Sequence, residues 1–350
     1  MPNYVPGEGP SPAQIALVGE APGNTEDLYK RPFIGDAGQE LTRMLRDAGI
    51  DRKECYATNV FKHKPAADIL SNFVSGTDPS AYKLLPAYKP NKFLRRELAD
   101  EVLGLHGELV AVDPKVVVTL GTTALWAVLG FQKISQYLGT VHRPTAKRPF
   151  FVVPTYHPSA VLRNWSFRTT VVANLLKVPP LLGESSRVAS STNPLAGFKI
   201  KVNPTLEEVE RFANVVSKPY TEFAVDVETM HGQIRTIGFA YSPTQAFVIP
   251  FWEPPRASYW PSVESESRAW KAIARILSRK NCTFIFHNGP YDIQYLWRVH
   301  GIPVLGTIED TLAGHWALEP ELPKKLGQLS AIYLDLPEWK TMRLKTEKED

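Results

Sequence analysis

Glu20, Phe33, Asn59 and His157 are scattered along the first half of the chain, yet their chemical types complement one another. A phenyl ring offers a stacking face, and an asparagine amide can pair with adjacent donor and acceptor atoms on a pyrimidine edge. A histidine can donate to a carbonyl oxygen where negative charge develops as such a ring departs. A carboxylate can orient the attacking water. Enzymes that act on a base draw it out of the stack into a pocket of this kind. A second set is acidic. Asp226 and Glu228 stand two apart in "FAVDVETM", and "FHNGPYDIQYL" adds Asn288, Tyr291 and Asp292. Two acids projecting from one face of a strand repel unless cations neutralise them. Paired magnesium ions are the usual solution where a phosphodiester is cut. Asp310, in "EDTLAGHWAL", is a further acid, expected on a later helix.

The elements that must position these residues follow from periodicity. "AQIALV", "CYATNV", "KVVVTL" and "FFVVPT" are short and apolar, as strands buried on both faces are. "DAGQELTRMLRDAG" between the first two predicts a helix, with Asp36 as N-cap, Leu41, Met44 and Leu45 on one face and Gly49 as its stop. "RRELADEVLGLHGELVAV" reads as another helix. The alternation predicts an α/β fold with a doubly wound parallel sheet. "GEAPGNTEDLYKRPFIGDAG" then becomes a loop of about fifteen residues at a strand's carboxyl end, where open α/β sheets bind ligands. "TNVFKHKP" and "PTYHPSAVLR" follow two other strands and bring Asn59 and His157 to the same crevice.

Residues 179–197 fill with Ser, Gly and Pro and read as a linker. Beyond them "EFAVDV", "IRTIGFAY" and "QAFVIP" follow closely, as in an antiparallel meander. A helix, the strand "CTFIFH" and another helix come next, so a second α/β domain is expected over 198–350. Composition adds bounds: 43% hydrophobic and 22% charged residues suit a globular chain, and no apolar run approaches membrane-span length. The formal net charge of +4 does not by itself mark a nucleic-acid binder. Two distant cysteines, Cys55 and Cys282, fit a reducing cytoplasm. No phosphate loop of Walker type is present, which argues against a nucleotide-binding protein of that class.

"GEAPG", "PFIGDAG", "TNVFK" and "TYHPSAVLR", in that order over roughly residues 13–178, resemble the motifs of the uracil-DNA glycosylase superfamily, closest to its family 4. The resemblance implies that Gly19, Glu20 and Ala21 line the hydrolytic site, Phe33 stacks on uracil, Asn59 reads its edge and His157 contacts its O2. Glu26 and Asp27 stand where the family tends to be acidic. Family 4 carries an iron–sulfur cluster on four cysteines, two of them just before the first strand. This chain has none there, and Lys62, His63, Lys64 and Pro65 stand where the family often reads Lys-Cys-Arg-Pro. One cysteine in the domain cannot hold such a cluster, so no iron–sulfur cofactor is expected. Residues 66–96 replace part of that region. Lys83, Lys89, Lys92, Arg95 and Arg96, interleaved with Tyr82, Tyr88 and Phe93, suit either a DNA backbone or a solvated insertion.

The acidic set resembles the ribonuclease H-like 3′–5′ exonucleases of family A DNA polymerases, with Asp226 and Glu228 as the first motif and Asn288, Tyr291 and Asp292 as the second. The resemblance implies Mg²⁺ or Mn²⁺ on Asp226, Glu228 and Asp292, and a mainly structural Asp310. The family's third motif, Tyr-x-x-x-Asp, does not occur in the 350 residues, so this mixed-sheet domain is expected to lack one carboxylate. The expected organisation is a glycosylase-like domain over 1–178, a linker over 179–197 and an exonuclease-like domain over 198–350, as at the front of certain phage polymerases. The implied partners are single-stranded or uracil-containing DNA and a polymerase domain, with no membrane. Two functions stay open: an enzyme of replication or repair, or a non-catalytic, uracil-sensing platform.

Overall fold

The computed structural model describes residues 2–65, 69–184, 197–253, 258–334 and 336. These divide into two compact units, one of residues up to 184 together with 321–334, the other of 197–320.

The first unit begins with β1 (Ile15–Gly19), α1 (Asn24–Tyr29), α2 (Asp36–Asp47) and β2 (Cys55–Asn59), then a small hairpin of β3 (Phe73–Ser75) and β4 (Lys92–Leu94). It continues with α3 (Ala99–Val112), β5 (Val116–Leu120), α4 (Thr122–Leu129), α5 (Ile134–Tyr137), β6 (Phe151–Thr155), α6 (Pro158–Arg163), α7 (Phe167–Leu175) and α8 (Val178–Gly183). The sheet is parallel throughout, in the order β2-β1-β5-β6. Because side chains alternate across a strand, one sheet feeds two cores. Leu17, Ala57, Val118 and Val153 pack with Leu41, Met44 and Leu45 of α2 on one face. Ala16, Val18, Val117 and Val152 pack with Leu105 of α3 and Trp126 of α4 on the other. The chain goes from β1 to β2 on one side and returns to β5 on the other. The carboxyl ends of β1 and β5 thus flank the switch point, where a crevice is expected.

Several local expectations change. Gly35, not Asp36, is the N-cap of α2, and Asp36 begins the helix without a side-chain cap, where its charge still complements the dipole. The long loop after β1 contains α1, a six-residue helix with no apolar face to announce it. Residues 178–183, placed mostly in the linker, form α8 and bury Val178 and Leu181; residues 185–196 of that segment lie outside the described residues. Tyr88 does not interleave with the surface cations. It is buried and stacks on Phe73 at 4.1 Å, with Trp126 against both rings.

The second unit holds β7 (Lys199–Lys201), α9 (Leu206–Arg211), β8 (Glu222–Met230), β9 (Gln233–Ser242), β10 (Gln245–Pro250), α10 (Val263–Leu277), β11 (Thr283–Phe286), α11 (Gly289–His300), β12 (Thr307–Asp310) and α12 (Thr311–Leu318). The last described helix, α13 (Leu326–Leu334), groups with the first unit. The sheet order is β12-β11-β8-β9-β10-β7. β8, β9 and β10 form the expected antiparallel meander, while β11 and β12 run parallel to β8, giving a mixed sheet. Phe223, Val225 and Val227 of β8 are buried in the core, which turns Asp226 and Glu228 to the other face. No helix among the described residues is long and apolar enough to cross a membrane.

Candidate functional sites

Asn59 closes β2 in register with Gly19, the last residue of β1. Its side-chain Oδ1 is buried and has no hydrogen-bond partner among the described residues. A methyl group on Gly19 would lie 2.4 Å from that oxygen and 2.5 Å from Cζ of Phe33, so only glycine leaves this space open. The Phe33 ring stands 6.2 Å from the His157 ring between centroids. Gly19, Phe33, Asn59 and His157, supplied by three loops, therefore meet at one place.

The loop that presents Phe33 is held by an acid. Phe33 has φ of 57°, in the left-handed region that non-glycine residues avoid. Glu26 Oε1 accepts hydrogen bonds from the backbone N–H groups of Ile34 at 3.1 Å and Gly35 at 2.8 Å, just beyond the strained residue. A methyl group on Gly38 would fall 1.8 Å from the Phe33 carbonyl oxygen. The turn is thus pinned from both sides.

Glu20 follows β1 and is half-exposed, while Ala21 packs against the second core. Across the switch point, the Thr123 hydroxyl in the first turn of α4 donates to Glu20 Oε2. His157 is the N-cap of α6, and its Nδ1 accepts from the Ser159 backbone N–H at 3.2 Å. An Nδ1 that accepts carries no proton, so the neutral ring bears its hydrogen on Nε2. Burial, with a smaller contribution from Arg163, lowers its pKa to about 4. Glu20 and His157 together offer a carboxylate and a neutral N–H donor.

The iron–sulfur group carried by the family this domain resembles does not fit these residues. Cys55 is buried at the start of β2, and burial pushes its thiol up to about 12, far from a ready thiolate ligand. The other cysteine, Cys282, belongs to the second unit.

In that unit, Asp226 is exposed and Glu228 half-buried on the same face of β8. Asp292, in the first turn of α11, is buried and its Oδ1 accepts from the Val227 backbone N–H at 2.8 Å, between the two acids. Burial raises the Asp292 pKa to about 6, with the charges of Asp226 and Glu228 adding to the rise against the Val227 hydrogen bond. The three carboxylates thus feel one another, and hard oxygen donors of this kind suit Mg²⁺ or Mn²⁺. Among the described residues no three His, Cys, Asp or Glu side chains are arranged to hold one ion. Asn288 caps α11 with φ of 69°, and the Tyr291 hydroxyl is 2.5 Å from Thr229 Oγ1. Asp310 ends β12 and caps α12 rather than lying within a helix. Its carboxylate accepts from the backbone N–H groups of Asn288, Gly289, Leu312 and Ala313, and these bonds outweigh burial and lower its pKa.

Glu26, Thr123 and Lys62 are the residues that sequence reasoning left without a role. Glu26 showed only as an acid where the resembled family tends to be acidic, Thr123 gave no signal, and Lys62 showed only as the last residue of "TNVFK".

Comparison with known proteins bears on both sites. Residues 6–177 match the family model for the uracil DNA glycosylase superfamily, and residues 201–348 match that for a 3′–5′ exonuclease. A type-4 uracil-DNA glycosylase of Archaeoglobus fulgidus is 34% identical over 188 residues, 52% of this chain and 83% of that protein. A DNA polymerase of Bacillus phage SP01 is 21% identical over 337 residues, 90% of this chain but 33% of the polymerase. Among solved structures, the catalytic core of RRP6 from Trypanosoma brucei aligns at 18% identity and a TM-score of 0.35, covering 44% of this chain and 39% of that one.

Proposed function

The chain belongs to the uracil-DNA glycosylase superfamily, and on that premise we propose that its first unit excises uracil from DNA. The observation that carries the reading is the orphaned Oδ1 of Asn59, buried beside Gly19 and Phe33. A buried acceptor without a donor is costly, and the N3–H of a flipped uracil would supply one. Phe33 stacks on the ring. His157 donates its Nε2–H to the uracil O2, where charge gathers as the N1–C1′ bond breaks. Glu20 orients a water whose oxygen adds to C1′ as the base leaves, so the products are free uracil and an abasic sugar.

The second unit acts in this reading as a metal-dependent 3′–5′ exonuclease, supported by the family match and the acidic face of β8. Asp226, Glu228 and Asp292 would hold Mg²⁺ or Mn²⁺, which when bound supplies charge stabilisation for phosphodiester hydrolysis. The similarity to a phage polymerase along 90% of the chain supports a place at the front of a replicative polypeptide of that kind.

The test is cleavage of single-stranded DNA carrying one uracil, scored as alkali-labile product. Asn59→Ala should slow excision by about 1–3 kcal/mol in transition-state terms, roughly 5- to 150-fold. A wild-type chain that binds uracil-containing DNA preferentially but never cleaves the glycosidic bond would instead be a sensing platform.

A further inference from the structure

Asn59 carries the reading of the first site, yet nothing among the described residues bonds to its side-chain oxygen. Its position is set by its backbone. One hold is the ladder to Gly19. The other is Lys62, a lysine only 5% exposed. The Lys62 ammonium has three protons and donates to three acceptors: the Asn59 carbonyl oxygen at 3.0 Å, Thr58 Oγ1, and Glu108 Oε2. Glu108 in turn accepts at Oε1 from the Tyr56 hydroxyl at 2.7 Å and from Thr58 Oγ1 at 3.0 Å. One ion pair thereby grips three of the five residues of β2.

The surroundings are built to keep this pair in place. Glu101 and Glu108 stand seven apart on α3 and so share a face. Glu101 accepts from the Lys62 backbone N–H and lies 3.1 Å from the His63 ring nitrogen. The Tyr4 ring meets His63 edge-on, and the Val5 N–H donates to the Lys62 carbonyl at 2.8 Å. A methyl group on Gly7 would fall 2.2 Å from the Tyr56 hydroxyl and 2.3 Å from Glu108 Oε1, so the amino-terminal segment closes directly over the network. Stability alone does not account for such a lysine. A buried ion pair replaced by apolar groups of similar volume is often neutral or better, whereas fixed geometry needs directional bonds. No cysteine-bound cluster can stiffen residues 62–65 in this chain, since the cysteines for one are not there.

We propose that Lys62 is a positioning residue for uracil recognition: through the Asn59 carbonyl and Thr58 it fixes the Asn59 amide against the Phe33 ring. The inference rests on the base-excision reading above. Its test is a double-mutant cycle on the full chain, by single-turnover excision from uracil-containing single-stranded DNA, with affinity for the same DNA lacking uracil measured in parallel. Lys62→Met should lower the excision rate about tenfold or more and leave affinity for uracil-free DNA unchanged. In an Asn59→Ala background the same change should cost nothing further, because a residue acting through Asn59 has nothing left to position. Thr58→Val, which removes one Lys62 acceptor and keeps the ion pair, should show the same non-additivity on a smaller scale and serves if Lys62→Met does not fold. Losses that multiply in the cycle, or fall equally on uracil-free DNA, would reduce Lys62 to a structural role and overturn the inference while excision stands. A wild-type chain that neither excises nor prefers uracil would overturn the base-excision reading itself.

Discussion

His157 shows how a single residue is tuned by its neighbours. The Ser159 N–H occupies Nδ1, and burial disfavours the charged ring, so the imidazole stays neutral down to a pKa of about 4. A neutral Nε2–H suits an oxyanion forming in a closed pocket, where it donates without giving up its proton. The same shift links stability to pH. Unfolded histidine titrates near 6.5, so between about 6.5 and 4 the unfolded chain binds more protons than the folded one. The stabilising contribution is complete above about 6.5 and is lost as pH falls toward 4. His142, half-buried in the same unit and also lowered to about 4, adds a second such contribution. Urea unfolding followed from pH 7 to 4 should therefore show a falling midpoint, with the slope reduced but not abolished by His157→Gln. An unchanged slope in the variant would mean that His157 is solvated and not held neutral.

The segment between β1 and α2 does the positioning at the scale of elements, and it divides what sequence reveals from what it hides. The four strands of the parallel sheet were legible because strands buried on both faces read as unbroken apolar runs, such as "IALVG" and "VVVTL". Their carboxyl ends gave the crevice, and with it the meeting of Gly19, Phe33, Asn59 and His157. α1 was not legible, since Glu26 is its one buried residue and a helix without an apolar stripe has no period to detect. β12 was missed for a related reason: its four residues are exposed or half-exposed, with no alternation. The Phe33 turn depends on close approach, which no periodicity encodes. Left-handed backbone at a phenylalanine costs about 1–3 kcal/mol, offset here by the Glu26 clamp and the tight seat at Gly38. Gly38→Ala should displace Phe33, since a Cβ there would overlap its carbonyl oxygen, and uracil-dependent binding should be lost even where the unit still folds. Retention of full uracil preference by a folded Gly38→Ala variant would show that the turn adapts and that Phe33 need not be pinned.

At the scale of the whole molecule, the proposed functions of the two units make opposite demands on metal. In the proposed reading, excision relies on a neutral histidine, a carboxylate and a stacked ring, none of which needs a cation. The acidic face of β8 instead concentrates charge: Asp292 is raised to about 6 by burial, with the charges of Asp226 and Glu228 adding to the rise, so its carboxyl resists ionisation unless a cation joins it. Mg²⁺ or Mn²⁺ should accordingly raise the unfolding temperature of the second unit by binding the folded form, and Asp226→Ala should weaken that rise. On a uracil-containing single strand, EDTA should leave release of uracil intact and stop any shortening from the 3′ end. Asn59→Ala should do the reverse. The two losses should be independent, because Asn59 and Asp226 lie in separate compact units with separate hydrophobic cores. Excision that fails in EDTA, or that falls with Asp226→Ala, would mean that the acidic face serves the glycosylase reaction, and the division of labour between the units would have to be redrawn.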